Sequence, residues 1–156
     1  MSNAAATLVG QNLGAGKPDR AEASAWKAAF YNTAFLAGVG ILFVLLADPI
    51  AAAFTDDPAV KPIAVLGLRI ISAGFPFYAY GYVITQSFNG AGDTMTPTLI
   101  NILCLWLGEL PLAYVLSQAA GFGPAGVFWA VAFAFSVLSI VAALLFRRGR
   151  WKTTRV

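Results

Sequence analysis

The segment Gln86-Ser-Phe-Asn-Gly-Ala-Gly-Asp-Thr-Met-Thr-Pro97 decides how this chain folds, and a similar segment, Gly10-Gln-Asn-Leu-Gly-Ala-Gly-Lys-Pro-Asp-Arg-Ala21, precedes it. Glycine just past the end of a helix adopts the left-handed conformation that closes it, and proline at the start of the next helix costs no hydrogen bond. Each segment therefore predicts a helix-to-helix turn. The residues of this helix-turn motif are Gly10, Gln11, Gly14, Gly16, Gly90, Gly92, Asp93, Thr94 and Pro97.

The composition of the chain is that of a membrane protein. Apolar residues make up 59% of its 156 residues and charged residues 11%, and the mean hydropathy is +0.74. A soluble domain is about half apolar and about a quarter charged. Four apolar runs reach the roughly 20 residues that cross a bilayer, and residues 4–10 are typical of the end of a preceding helix. We predict an all-α, polytopic helix bundle with spans near 25–46, 63–88, 97–116 and 126–146. Two similar turns in such a bundle indicate an internally repeated transporter.

The distribution of charge predicts the orientation in the membrane. Eight of the ten basic residues flank the start of the first span or follow the last: Lys17, Arg20, Lys27, Arg147, Arg148, Arg150, Lys152 and Arg155. Basic residues favour the cytoplasmic side, so both ends of this chain, including a basic tail at 147–156, are expected there. The loop 48–58 carries three aspartates, should face outward and could hold a short interfacial helix. The net charge of +3 is a topology signal with weak attraction to lipid headgroups; it does not indicate nucleic-acid binding.

Two helix starts can be predicted next to the Gly-Ala-Gly turns. Asp19 and Glu22 have the spacing of a capping box, with Asp19 as the N-cap. In the second turn, Thr96 can cap a helix in which Pro97 takes the first position, and Asp93 lies where a helix dipole favours a carboxylate. The simpler interpretation is that all these residues only set the geometry of the turns.

Small residues in the second and fourth spans predict packing faces. In the second span, glycines recur every seven residues and stay on one helix face, where they let two backbones approach in lipid. Pro76 removes a backbone hydrogen bond in the middle of this span and predicts a kink. The small residues are Gly67, Gly74 and Gly81 in the second span and Gly126, Ala130 and Ala134 in the fourth.

Aromatic and polar side chains in the spans are candidates for a ligand cavity. Phe75, Tyr78 and Tyr82 share one face of the second span, and such a wall can stack flat cationic molecules. Equally, these rings can face the core or the lipid, and the milder polar residues can bond only between helices. The cavity candidates are Tyr78, Tyr80, Tyr82, Gln86 and Asn32.

Two ionisable residues lie within the predicted spans, where a central charge costs ~2.5–3.5 kcal/mol. Glu109 and Arg69 could pair at a similar depth, Arg69 could instead snorkel outward, or Glu109 could relay a proton or cation. The chain has no histidine and a single cysteine, Cys104. These counts predict no metal site and no cofactor, and the absence of a nucleophile–base pair argues against an enzyme.

Taken together, the chain resembles the C-terminal part of a multidrug and toxic compound extrusion (MATE) transporter. The similar segments are 9–21, the outer loop 54–60, 89–97 and 106–114, in the order in which the family has them. The resemblance implies a twelve-helix protein of two lobes in the bacterial inner membrane. This chain would supply the end of the eighth helix and helices nine to twelve, and its partner would be the missing N-terminal lobe.

The resemblance also implies a function. Members of the family couple the entry of sodium or protons to the export of amphiphilic or cationic drugs by alternating access, which needs a carboxylate that differs between states. Some members place one in the tenth helix, whereas residues 63–88 contain no Asp or Glu. We therefore expect the coupling carboxylate in the missing N-terminal lobe; Glu109 or a carboxylate of the missing seventh helix are the alternatives.

Three other functions stay open. The chain could be a fragment that only assembles with a partner half, or a relative of the lipid-linked oligosaccharide flippases, whose cavity would be more basic. It could also be a four-helix exporter that works as a homo-oligomer, although such pumps need a carboxylate in the first helix and residues 25–46 have none.

Overall fold

The computed structural model describes residues 1–153 of the chain, and the basic residue at 155 lies outside them. The described residues form helices and turns without a strand, which confirms the predicted all-α fold. The helices are α1 (Ser2–Gly14), α2 (Pro18–Leu45), α3 (Ala47–Phe54), α4 (Lys61–Ala73), α5 (Phe75–Gly90), α6 (Met95–Ala119) and α7 (Pro124–Arg147), followed by a 3₁₀ turn at Arg150–Thr153.

Within residues 1–153, three helices are long and apolar enough to cross a membrane: α2 with 28 residues, α6 with 25 and α7 with 24. The pair α4–α5 would be a fourth span, bent by 51° between its two helices. These helices lie where the sequence predicts the four spans, although α2 begins seven residues earlier than expected. α5 packs against α1, α2 and α7 and so lies at the centre of the bundle, while α6 packs on α7.

The second predicted span is two helices rather than one kinked helix. α4 ends at Ala73, Gly74 separates the helices, and Pro76 occupies the first turn of α5. Proline is tolerated in a first turn because its missing N–H would have no partner there. The predicted kink is thus confirmed, and it is sharp enough to restart the helix.

The two Gly-Ala-Gly turns have the same backbone geometry. Gly16 and Gly92 have φ values of +69° and +79°. The residue after each glycine donates its N–H to the carbonyl five residues earlier, at 2.8 Å for Lys17 and 3.0 Å for Asp93. This pattern is the Schellman cap, for which a left-handed glycine is the usual solution. The predicted helix-to-helix turns are therefore confirmed in both places.

The predicted capping box at Asp19 is wrong. With Asp19 as its N-cap the helix would begin at Arg20; α2 begins two residues earlier, at Pro18, with Lys17 as its N-cap and no side-chain cap. Proline is favoured at this position, so it starts the helix in place of the aspartate. Glu22 bonds instead to Trp26 Nε1 at 3.1 Å.

The prediction that Thr96 caps α6 is also wrong. The helix begins at Met95 after Thr94, so Thr96 does not cap it and Pro97 is its third residue rather than its first. Asp93 does the bonding: Oδ1 accepts the backbone N–H of Thr96 at 3.0 Å, and Oδ2 accepts its hydroxyl at 2.6 Å. A carboxylate is at least as good a helix cap as a hydroxyl.

The predicted packing faces are confirmed. A Cβ added to Gly67 would lie 2.8 Å from Phe128, and one added to Gly81 would lie 2.5 Å from Ser139 Oγ, so both glycines face α7. The Ser139 hydroxyl also donates across this contact to the carbonyl of Phe77. On α7, Ala130 and Ala134 are buried. We call this contact of α4 and α5 with α7 the glycine seam; it consists of Gly67, Gly74, Gly81, Phe128, Ala132 and Ser139.

α6 departs most from an ordinary α-helix. It contains two π-helical stretches, Ile102–Glu109 and Val115–Ala119, in which no residue is buried. A π-helical turn is wider than an α-helical one and is frequent at functional sites. α6 therefore presents a broad surface, and its contacts are with α5 and α7.

Candidate functional site

A cavity of about 240 Å³ lies between α5, α6 and α7. We call it the tyrosine cavity, because two tyrosines of α5 form one of its walls. Its lining combines aromatic rings with amide and hydroxyl side chains, and the described residues that line it include no carboxylate and no basic side chain. The lining residues are Tyr78, Tyr82, Thr85, Gln86, Asn89, Pro97, Asn101, Leu105, Phe135 and Leu138.

The aromatic wall of this cavity is a packed group of three rings. The rings of Tyr78 and Tyr82 stack with their centroids 5.7 Å apart and their planes 15° apart. Phe135 meets Tyr78 edge to face at 4.9 Å. Both tyrosines remain 39% and 45% exposed in this chain, so their faces are available to a ligand. In the stacked pair, each ring keeps one face turned away from its neighbour, and ring faces carry negative electrostatic potential.

The other end of the tyrosine cavity is polar. Asn89 donates from Nδ2 to Gln86 Oε1 at 3.0 Å. Thr85 donates its hydroxyl back to the carbonyl of Gly81 at 3.0 Å. The Asn101 side chain comes from α6 to the same cavity. A ligand here would meet π-faces at one end and neutral amide dipoles at the other.

The predicted cavity residues fall into two groups. Tyr78, Tyr82 and Gln86 lie together, because a spacing of four residues keeps them on one helix face. Tyr80 points to the opposite side, where its ring lies 6.0 Å from that of Trp26. Asn32, on α2, donates to the carbonyl of Ala79 at 3.1 Å and so ties two helices together.

Tyr80 borders a second, almost wholly apolar cavity of about 380 Å³ between α2, α5 and α7. Thr33 also lines it, and the buried Thr33 hydroxyl oxygen has no hydrogen-bond partner. Tyr80 and Asn32 are therefore separated from the tyrosine cavity by the body of α5.

The predicted pairing of Arg69 with Glu109 does not form. Arg69 donates to Asp48 Oδ2 at 2.6 Å, and this exposed ion pair holds α3 against α4. The short helix predicted for the outer loop is present as α3, and its first turn supplies the aspartate. Glu109 is half-buried in the first π-helical stretch of α6 and does not line the tyrosine cavity.

The motif glycines do more than shape turns. A Cβ on Gly90 would lie 2.1 Å from the carbonyl oxygen of Ala6, and one on Gly10 would lie 2.9 Å from that of Gly90. α1 and α5 therefore cross with their backbones nearly touching. Gly14 has open space around it, so it serves the turn alone. This close crossing is a second reason for glycine in the repeated segment, and no local sequence pattern reveals it, because the contact joins two helices that are distant in the chain.

The C-terminal tail folds back onto the bundle. Trp151 is fully buried, stacks on Phe146 with centroids 4.4 Å apart, and donates from Nε1 to the Phe146 carbonyl at 2.7 Å. Lys152 binds Glu22 at 2.6 Å and Asp19 at 3.1 Å. The hydrogen bond to Glu22, followed by that to Asp19, raises the pKa of Lys152. The tail thus clamps the end of α7 to the start of α2.

No group of three or more histidine, cysteine or acidic side chains that could hold a metal ion occurs among residues 1–153. Polar features of the described residues include the tyrosine cavity, the two repeated turns and the ion pairs at the ends of the bundle. Helices of spanning length around a cavity of aromatic and amide side chains are typical of a multi-pass membrane protein.

Comparison with known proteins gives the family. The MatE family model matches residues 1–115, and the chain therefore belongs to the MatE family. This finding confirms the resemblance seen in the sequence.

Two relatives and one solved structure illustrate the match. The chain is 27% identical over its whole length to the probable multidrug resistance protein NorM of Thermotoga maritima and covers 34% of it. It is 34% identical to the probable multidrug resistance protein NorM of Mannheimia succiniciproducens over 146 residues. The matched part is 90% of this chain and 30% of that protein. The MATE transporter ClbM in complex with Rb⁺ has a TM-score of 0.90 at 24% identity, over 99% of this chain and 37% of its own. The chain thus spans about a third of the length of these proteins.

Proposed function

We propose that this chain is the C-terminal part of a multidrug antiporter that exports amphiphilic or cationic compounds by alternating access. The observation that carries the proposal is the tyrosine cavity, in which stacked rings and neutral amides face an opening between helices. The relatives named as multidrug resistance proteins support this class of substrate, since they match the chain over nearly all its length.

The chemistry of the cavity favours a flat, weakly hydrated cation. A cation over the face of an aromatic ring gains about 0.5–2 kcal/mol, and most where water is excluded. The amides of Gln86 and Asn101 can orient a ligand without requiring a particular charge. Substrate recognition would therefore be broad, because it rests on stacking and dipoles rather than on one ion pair.

Coupling to sodium or protons is proposed for the longer protein. The complex of the similar transporter ClbM with Rb⁺ supports a monovalent cation as the partner. In the described part of this chain the tyrosine cavity has no carboxylate, so the coupling carboxylate is proposed in the N-terminal lobe. Glu109 and Arg69 remain the candidates within this chain; Glu109 comes first because Arg69 already binds Asp48.

Two features of the fold suit alternating access. Gly74 separates α4 from α5 at the 51° bend, where little must be broken to change the angle. We propose that α4 and α5 can shift along α7 at the glycine seam, because most of its residues are small and let the backbones approach closely. We place the protein in the bacterial inner membrane with both ends of this chain cytoplasmic, as its basic residues favour.

A tyrosine substitution tests the proposed function. With the upstream genomic sequence present, Tyr82→Ala is expected to slow ethidium efflux from drug-sensitive bacteria about tenfold, equivalent to ~1.4 kcal/mol of binding. Tyr82→Phe should keep most of the rate because it keeps the ring.

The matched control is Tyr114→Ala, which removes the same side chain from α6, where it is 69% exposed and outside the cavity. This variant should retain efflux within about twofold. Equal rates for Tyr82→Ala and Tyr114→Ala at equal membrane levels would contradict the assignment of the tyrosine cavity to the substrate.

A further inference from the structure

We propose that the cytoplasmic end of the bundle carries a binding site for an anionic phospholipid, separate from the tyrosine cavity. The site is a groove of about 370 Å³ between α5, α6 and α7. Its floor is apolar and its mouth is basic. These two parts complement the apolar acyl chains and the negatively charged phosphate of a phospholipid. We call it the basic groove.

The floor of the basic groove fits an acyl chain. Leu99 and Leu103 of α6 form one side, and Val141 and Leu145 of α7 form the other. Leu99 and Leu103 are more than half exposed, at 53% and 59%, so the groove is open along α6. Apolar surface at this depth is stable against lipid tails, which have the same polarity.

The mouth of the groove fits a phosphate. Arg148 and Arg150 both line it, at the point where α7 ends. A guanidinium group offers several N–H donors in a planar fork that matches phosphate oxygens. Among the described residues, the Arg148 side chain forms no hydrogen bond or ion pair. Asp93 also lines the mouth, but both its carboxylate oxygens accept hydrogen bonds from Thr96.

The folded tail keeps these arginines at the groove. The chain reverses at Gly149, which has a φ of +72°. The buried Trp151 and the ion pair of Lys152 with Glu22 then fix the next residues against the bundle. A basic tail that continued straight from α7 would carry Arg150 away from the groove; the reversal returns it.

The combined chemistry favours a lipid over a free anion. Inorganic phosphate would use the arginines alone and leave the apolar floor without an occupant. An anionic phospholipid uses both, and the position at the end of a spanning helix is the depth of a headgroup. A zwitterionic lipid would place an ammonium group beside two guanidinium groups and should bind less well.

Native mass spectrometry tests the selectivity. The protein with its upstream genomic sequence, purified in detergent, is titrated with dioleoyl-phosphatidylglycerol or dioleoyl-phosphatidylcholine. We expect the wild-type protein to retain at least fivefold more phosphatidylglycerol than phosphatidylcholine. Arg148→Gln should lower the amount of retained phosphatidylglycerol at least threefold. Arg147→Gln removes the same charge one residue away, outside the groove. This variant should change the amount of retained phosphatidylglycerol less than 1.5-fold. Equal losses for the two variants would mean general surface attraction and would overturn the site.

The cysteine in the groove gives a second readout. Cys104 is half-buried and lines the same groove, so its reaction with N-ethylmaleimide, followed on its own peptide, reports occupancy. Phosphatidylglycerol should slow this reaction at least threefold in the wild type and not in Arg148→Gln. Protection by inorganic phosphate, equal protection by both lipids, or an unreactive thiol in delipidated protein would each contradict the proposal. The last result would show that another part of the protein covers the groove.

Discussion

Replacing Gly90 with valine is expected to prevent the correct packing of α1 on α5. A Cβ at Gly90 would lie 2.1 Å from the carbonyl oxygen of Ala6 and 2.6 Å from its Cα. These are backbone atoms of a helix, so they cannot turn away as a flexible side chain would. Overpacking a core costs about 1–3 kcal/mol where side chains can adjust; here we expect a cost above that range, since two helices must separate.

The measurement is the monodisperse fraction of the protein in mild detergent, at equal membrane expression and with the upstream sequence present. Gly90→Val should lose most of this fraction. The matched control is Gly14→Ala, in the equivalent repeated segment, where a Cβ would meet no atom within 4 Å. Alanine should be neutral there or stabilise by up to about 1 kcal/mol. Normal behaviour of Gly90→Val would show that α1 and α5 are not in this close contact.

Replacing Trp151 with alanine is expected to destabilise the protein by about 3–5 kcal/mol, the usual cost of removing a buried tryptophan. Trp151 is fully buried and completes an aromatic cluster around Phe146, which also meets Trp26 and Phe88 edge to face at 5.3 Å. Its loss would leave a cavity and free the tail. The apparent unfolding temperature should fall by on the order of 10 °C.

The control for this variant is Trp129→Ala on α7, because Trp129 is 57% exposed. It should cost less than about 1 kcal/mol, since it leaves no cavity. Trp151→Phe should lie between the two, because it keeps the stacked ring and loses the hydrogen bond to the Phe146 carbonyl. If alanine at 151 and at 129 gave the same unfolding temperature, the tail would not be a clamp.

The helices and turns could be predicted because they depend on strong local signals. The length of the apolar runs sets the spans, and a left-handed glycine followed by an early proline sets the turns. The exact starts were less predictable. Asp93 and Thr96 are both good caps, and only the final position of α6 decides that the carboxylate bonds. The π-helical stretches of α6 leave no periodic signal in a run in which most residues are apolar.

The candidate site could be predicted in part. The four-residue spacing of Tyr78, Tyr82 and Gln86 places them on one face, and the structure brings these three to one cavity. Tyr80 lies two residues from Tyr78 and therefore points away. Phe135 could not be selected, because an aromatic residue in an apolar helix has no distinguishing signal. Trp151 was hidden by its neighbours, since the charges around it predict a solvated tail.

The central claim is that this chain is the C-terminal part of a multidrug antiporter, and an ethidium efflux assay tests it most directly. Drug-sensitive bacteria would express the 156-residue chain alone, or the chain with its upstream genomic sequence, at matched membrane levels. We predict export only from the longer protein, and its reduction by Tyr82→Ala. Export by the chain alone at the same rate would contradict the claim and would favour a small oligomeric pump, with Glu109 as the first residue to replace.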